Sequence, residues 1–198
     1  MMLVGVGQER NIRSVIIRIN IMKKIAFFLS ANDLAKKYTD PSLELVKLSI
    51  EAGYGFVYGG TGTGLMSEAS DLAKSLGGHI TAITSQEFAA KLKSGADDEY
   101  ICEDVLERKR MIVDHSDAFI ALPGGTGTLD EITEVIAKRK LDLLKKPIAF
   151  LSIDRFWDGI RDQINRFHTE GFAPYPFEEM CFASESPEEI MTYLEKTI

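Results

Sequence analysis

From Lys23 onward, short apolar runs alternate with longer stretches whose apolar positions recur every three or four residues. The runs fall at residues 25–29, 55–58, 80–84, 118–122 and 147–151. Each is bounded by turn residues and none alternates in polarity, as expected of strands covered on both faces. The stretches between them read as helices. One carries Leu43, Val46, Leu48 and Ile50; the next carries Leu65, Ala69, Leu72, Ala73 and Leu76. Further helices are expected over 106–115, 129–140, 156–168 and 187–196. Strand–helix alternation implies an α/β fold with an open, mostly parallel sheet and helices on both faces. No repeat or low-complexity linker interrupts it, so a single domain is expected.

Residues 1–21 break the pattern. They hold Arg10, Arg13 and Arg18 against one acid, Glu9, and their apolar residues keep no sustained period. Met22-Lys23-Lys24 then leads into the first run. We expect 1–21 to be an N-terminal extension outside the core, with 22–198 forming the domain. The extension lacks the long apolar segment and cleavage site of a secretory signal.

Composition narrows the function. Among 198 residues, 23 Lys and Arg face 30 Asp and Glu, a formal charge of −7. A net acidic domain is a poor general ligand for nucleic acid, whose affinity comes largely from Lys and Arg neutralising phosphates. The longest strictly apolar runs are about five residues, far short of the roughly 20 a membrane-spanning helix needs. Two distant cysteines, Cys102 and Cys181, fit a reducing, cytoplasmic setting. His79, His115 and His168 are scattered without metal-ligand spacing, so no metal site is expected.

Two glycine-rich turns stand out. One is Gly59-Gly60-Thr61-Gly62-Thr63-Gly64-Leu65-Met66; the other is Pro123-Gly124-Gly125-Thr126-Gly127-Thr128-Leu129-Asp130-Glu131. Each follows an expected strand and opens an expected helix. Glycine lets the backbone approach a ligand closely, and the unpaired amides and dipole of a helix N-terminus favour a phosphate. The threonines add hydroxyl donors. Neither turn is a Walker loop, and no acidic residue follows the third run as a dinucleotide fingerprint requires.

Glu131 has two readings. Thr128-Leu129-Asp130-Glu131 fits a capping box, in which Thr caps the helix and Glu caps back; on pattern alone this is the stronger reading. The alternative is a carboxylate held beside a bound phosphate ester. Glu107-Arg108-Lys109-Arg110 reads first as a solvated helix face, and alternatively as the source of a guanidinium that reaches the ligand. Phe156 and Trp157 read as apolar residues on an outer helix, in the core or at a subunit contact.

Together these motifs resemble the Lonely Guy (LOG) family, long described as possible lysine decarboxylases. The resemblance rests on Arg108-Lys109, on Ser116-Asp117 opening the next strand, and on Pro123 through Glu131; it covers most of residues 22–198. It implies a Rossmann-like fold, usually dimeric, that hydrolyses the N-glycosidic bond of a nucleoside 5′-monophosphate such as AMP or a cytokinin nucleotide. The products are free base and ribose 5-phosphate. By resemblance the catalytic pair is Arg108 and Glu131. Phosphate and nucleotide contacts fall on Gly60, Thr61, Lys109, Gly124, Gly125, Thr126, Gly127 and Thr128. No cofactor is implied, and the partner is a nucleotide substrate in a homodimer or higher even oligomer, with no membrane or nucleic acid. Leu29-Ser30-Ala31-Asn32 and Ala82-Ile83-Thr84-Ser85 depart from the family pattern on the ligand edge.

Ribosyl C–N cleavage passes through an oxocarbenium-like state, which a carboxylate such as Glu131 stabilises. Two other functions remain compatible with the sequence: a non-catalytic carrier of a phosphorylated ligand such as molybdenum cofactor, and a nucleotide-sensing regulator.

Overall fold

A computed structural model describes residues 22–198. Residues 1–21, read above as an extension, lie outside the described residues. The body is one seven-stranded sheet in the order β4-β3-β2-β1-β5-β6-β7, with every neighbouring pair parallel.

The strands β1 (Lys24–Phe28), β2 (Gly55–Tyr58), β3 (Ile80–Ser85), β5 (Ala118–Ala121) and β6 (Ile148–Leu151) coincide with the five apolar runs. Their continuous apolar character follows from burial on both faces. In β1, Ile25 and Phe27 enter one core while Ala26 and Phe28 enter the other, because successive side chains of a strand point to opposite faces. Helices α1 (Lys36–Glu51), α2 (Gly64–Ser75) and α7 (Pro187–Thr197) cover the first face through Leu45, Val46, Leu65, Ala69, Ile190 and Leu194. Helices α3 (Val105–Asp114), α4 (Thr126–Lys140), α5 (Asp158–Thr169) and α6 (Phe177–Met180) cover the second through Ile112, Ile132, Val135, Ile164 and Phe177.

Two strands carried no apolar run. β4 (Asp98–Cys102) is an edge strand, half exposed along Asp98, Glu99 and Tyr100, and β7 (Phe182–Ser184) is three residues at the opposite edge. Of the two readings of Trp157, core or subunit contact, the structure bears out the core. It precedes α5, is buried, and packs edge-on against Phe150, so it belongs to the core and needs no partner subunit to cover it.

The strand order places the functional edge. The chain winds from β1 through β2 and β3 to β4, then restarts on the other side of β1 with β5. The crevice beyond the carboxyl ends of β1 and β5 is therefore a topological switch point, where open α/β sheets bind ligands.

Candidate active site

A cleft of about 360 Å³ occupies that switch point. Ser30 and Asn32 enter it from the turn after β1, Thr61 and Thr63 from the turn after β2, and residues 125–128 from the turn after β5. Arg108 and Glu131 also line it, joined by Phe88 and Lys91 from the short helical turn after β3.

The two glycine turns look alike in sequence and do different work. At the start of α4 no side chain caps the helix. Leu129 N–H is the first amide bonded in the helix, to the Gly125 carbonyl at 3.0 Å. The amides of Thr126, Gly127 and Thr128 have no partner among the described residues. Cβ atoms built on Gly125 and Gly127 would meet nothing within 4 Å. The helix thus presents unpaired donors and the positive end of its dipole to open space, a ready anion site. Gly124 serves packing: a Cβ there would overlap the Thr128 hydroxyl.

At the start of α2 the amides are already taken. Met66 N–H donates to the Ser30 carbonyl at 3.1 Å and Leu65 N–H to that of Asn32 at 3.3 Å. The Thr63 hydroxyl donates to the Ala31 carbonyl at 2.8 Å. Gly60 adopts a φ of +78°, a conformation side chains resist. Its carbonyl accepts from Lys93 N–H, while Gly62 N–H donates to the Lys91 carbonyl. This turn stitches the β1 loop and residues 91–93 together. Thr61 reaches the cleft; Gly60 forms the bend behind it.

Arg108 and Glu131 form the cleft floor. Asp104 caps α3 by accepting from Leu106 N–H and Glu107 N–H, and Arg108 then projects from the first turn. Its Nε donates to the Ile83 carbonyl at 3.0 Å and its Nη1 lies 2.7 Å from Glu131 Oε1. The two side chains are 11% and 8% exposed. Burial pushes the Glu131 carboxyl above its usual pKa, and the adjacent guanidinium pulls it part of the way back.

The capping-box reading of Glu131 does not hold. α4 begins at Thr126, so Thr128 already lies inside the helix, and the Glu131 carboxylate turns to Arg108. The solvated-face reading of 107–110 fails for the same reason at Arg108, and at Lys109. The Lys109 ammonium lies 3.1 Å from both Asp130 and Glu134 with its side chain 14% exposed, joining α3 to α4 outside the cleft lining. Burial opposes its charge, yet Glu134 and Asp130 hold its pKa above the usual value.

Sequence reasoning passed over Phe88 and Lys91. Both sit on residues 86–91, a 3₁₀ turn without a motif or period, and only the position after β3 puts them on the ligand edge. Among the described residues no group of three or more His, Cys, Asp or Glu is placed to hold a metal. No described helix is long and apolar enough to cross a membrane.

A family described as "possible lysine decarboxylase" matches residues 65–194. A probable cytokinin riboside 5′-monophosphate phosphoribohydrolase of Oryza sativa subsp. japonica is 33% identical over 78% of this chain and 69% of its own length. A cytokinin riboside 5′-monophosphate phosphoribohydrolase of Arabidopsis thaliana is 30% identical over 87% of this chain and 77% of its own. Among solved structures, the Moco carrier protein of Chlamydomonas reinhardtii superposes with a TM-score of 0.68 at 17% identity, covering 89% of this chain and 98% of its own. The molybdenum cofactor binding protein of Rippkaea orientalis gives 0.66 at 20% identity, with the same coverage of each chain. These two likenesses establish the fold.

Proposed function

The chain belongs to the LOG family, the one described as possible lysine decarboxylase, and on that premise we propose that it hydrolyses the N-glycosidic bond of a nucleoside 5′-monophosphate. The carrying observation is the buried Arg108–Glu131 pair on the floor of a cleft whose wall is a helix N-terminus without a side-chain cap.

In this reading the 5′-phosphate sits on the amides of Thr126, Gly127 and Thr128, with the Thr126 and Thr128 hydroxyls beside it. That grip supplies remote binding energy for holding the ribose in place. Glu131 lies one turn further along α4. Its carboxylate faces the developing oxocarbenium centre and orients the attacking water. The C1′–N bond breaks with its electron pair leaving on the base, the water oxygen adds to C1′, and the proton released ends on the departing base. A carboxyl whose pKa is raised by burial holds a proton more readily than a free one, which suits it to relay that proton. Arg108 fixes Glu131 and faces the base. From the end of β5 to the end of β3 is three strand spacings, about 14 Å, enough for a mononucleotide to lie with its base toward Met66 and Phe88.

The residues do not fit the pyridoxal phosphate that a decarboxylase would carry. Lys91 is the lysine on the cleft, and it stands exposed at the rim, outside the enclosed apolar pocket that a Schiff-base lysine needs. The carrier reading shares the phosphate grip. The buried carboxylate favours hydrolysis, since a carrier of an anionic ligand gains nothing from a negative charge on the cleft floor.

We place a second copy of the chain on the groove between α4 and α5. This groove, about 490 Å³, is lined by Leu129, Ile136, Ile164, Phe167, Phe172 and Met180. Two residues apart on one helix, Leu129 and Glu131 point to nearly opposite sides, so a subunit docked there packs on α4 across from the cleft.

The test is direct. Incubation with AMP and its N6-substituted forms is expected to release free base and ribose 5-phosphate in equal amounts. Tight AMP binding without base release would hand the function to the carrier reading.

A further inference from the structure

Gly59 has no backbone reason to be glycine. Its neighbour Gly60 has a φ of +78°, but Gly59 lies outside the left-handed region, where an L side chain is allowed. Space forbids one. A Cβ on Gly59 would overlap Nη2 of Arg108, with Cζ at 3.4 Å and Cε of Met66 at 3.5 Å.

A long side chain ordinarily swings away from such a contact. Arg108 is not at liberty to do so, because its planar fork is fixed at two other points. Nε donates to the Ile83 carbonyl at 3.0 Å and Nη1 pairs with Glu131 at 2.7 Å. Withdrawing Nη2 from position 59 turns or slides the guanidinium plane and gives up one of these two contacts.

We propose that Gly59 is a positioning residue for Arg108: the missing side chain is the seat that lets the guanidinium lie between Ile83 and Glu131 at the cleft floor. The two glycine turns then divide the site, the first admitting the cation and the second binding the anion. The seat follows from the geometry alone, while its consequence for turnover rests on the hydrolase reading.

Four proteins test it: wild type, Gly59→Ala, Arg108→Lys and the double variant. A lysine lacks the Nη2 branch and carries its ammonium about where Cζ stands, at an ordinary 3.4 Å from the added Cβ. Gly59→Ala is expected to lower the Tm of the ligand-free protein in the Arg108 background. In the Arg108→Lys background it leaves Tm unchanged or raises it, as a Gly to Ala change does where backbone and space permit. Gly59→Ala is also expected to lower kcat on AMP by about 10²-fold, the scale of an ångström-sized misplacement. Ribose 5-phosphate affinity should stay near wild type, because the α4 amides are untouched. An equal loss of Tm in both backgrounds, or wild-type kcat in Gly59→Ala, overturns the proposal. If the wild type releases no base from AMP, the hydrolase reading fails and the thermal cycle still decides the seat.

Discussion

Arg108 Nη1 and Glu131 Oε1 meet at 2.7 Å although they belong to different helices on different sides of β5 in the chain. The neighbouring residues repeat the pairing one step outward, with Lys109 on Asp130 and Glu134. Two consecutive cations of α3 thus fix the register of α3 against α4. The inner pair faces the cleft and the outer pair faces away from it. This arrangement gives a charge run that looks like a solvent face two separate functions.

The first prediction separates chemistry from binding. Glu131→Gln keeps the size of the side chain and an acceptor for Arg108, but removes the charge that would stabilise an oxocarbenium centre. Turnover of AMP is expected to fall by about 10² or more, the range of a lost charged or general acid–base contribution. The dissociation constant for ribose 5-phosphate should hardly move. Arg108→Ala should also lower turnover, and the double variant should be little worse than the poorer single one, since groups acting as a unit are not additive. Wild-type turnover in Glu131→Gln returns the residue to a structural role.

The pH dependence of stability has an unusual sign at this residue. Burial raises the Glu131 pKa above its usual 4.5, so the folded state favours the protonated carboxyl more than the unfolded chain does. Its stabilising contribution is full below the unfolded value and is lost as pH rises through the folded one. Glutamine never ionises and does not suffer that loss. At pH 7 Glu131→Gln is therefore expected to melt no lower than wild type, with any margin closing as pH falls below about 4.5. A clearly lower Tm at pH 7 would show that the Arg108 pairing outweighs the burial of the carboxylate.

The sheet was legible because five of its strands are buried on both faces and so write unbroken apolar runs. β4 and β7 were not, because an edge strand needs less apolar surface: Glu99 and Ile101 are exposed along β4, and only Cys102 is buried. The position of the site was legible from the two turns, but their division of labour was not. Nothing in Gly59-Gly60-Thr61-Gly62 shows that the amides of Leu65 and Met66 will be taken by Asn32 and Ser30. That depends on a loop more than thirty residues earlier in the chain. Glu131 misled for a local reason. Its spacing from Thr128 satisfies a capping box, but the N-cap is Gly125 and the helix starts three residues sooner, at Thr126. The groove between α4 and α5 was also missed, since Phe172 lies in a connection with no helical period.

The phosphate grip predicts opposite effects from one substitution. A Cβ on Gly127 meets nothing within 4 Å, and the residue lies in the first turn of α4 with an ordinary φ. Gly127→Ala should raise stability by up to about 1 kcal/mol through helix propensity. It also puts a methyl group into the space assigned to the phosphate, so affinity for ribose 5-phosphate and AMP should drop together. Unchanged affinity would move the phosphate off α4.

The subunit contact is checked on the other side of the same helix. Phe172 is 72% exposed and Phe167 42% exposed beside the groove, an apolar patch of the kind that marks an interaction surface. Light scattering at micromolar concentration is expected to show a dimer, and Phe172→Asp to shift it toward monomer. A monomeric wild type rules out this contact.

Phe88 decides which way the nucleotide lies. It is 42% exposed on the turn after β3 and lines the cleft at the end away from the α4 amides. An exposed aromatic ring is costly to leave in water and well shaped to cover one face of a purine, and base–aromatic stacking contributes about 1–3 kcal/mol. Phe88→Ala should therefore weaken AMP binding by roughly 5- to 150-fold, that energy expressed as a ratio of constants. Phe88→Leu should be intermediate, because it keeps apolar cover without a π-face. Ribose 5-phosphate carries no base, so its affinity should be unchanged in both variants. If Phe88→Ala weakens AMP and ribose 5-phosphate equally, the residue holds the cleft open and does not touch the base. If neither ligand is affected, the base does not reach Phe88.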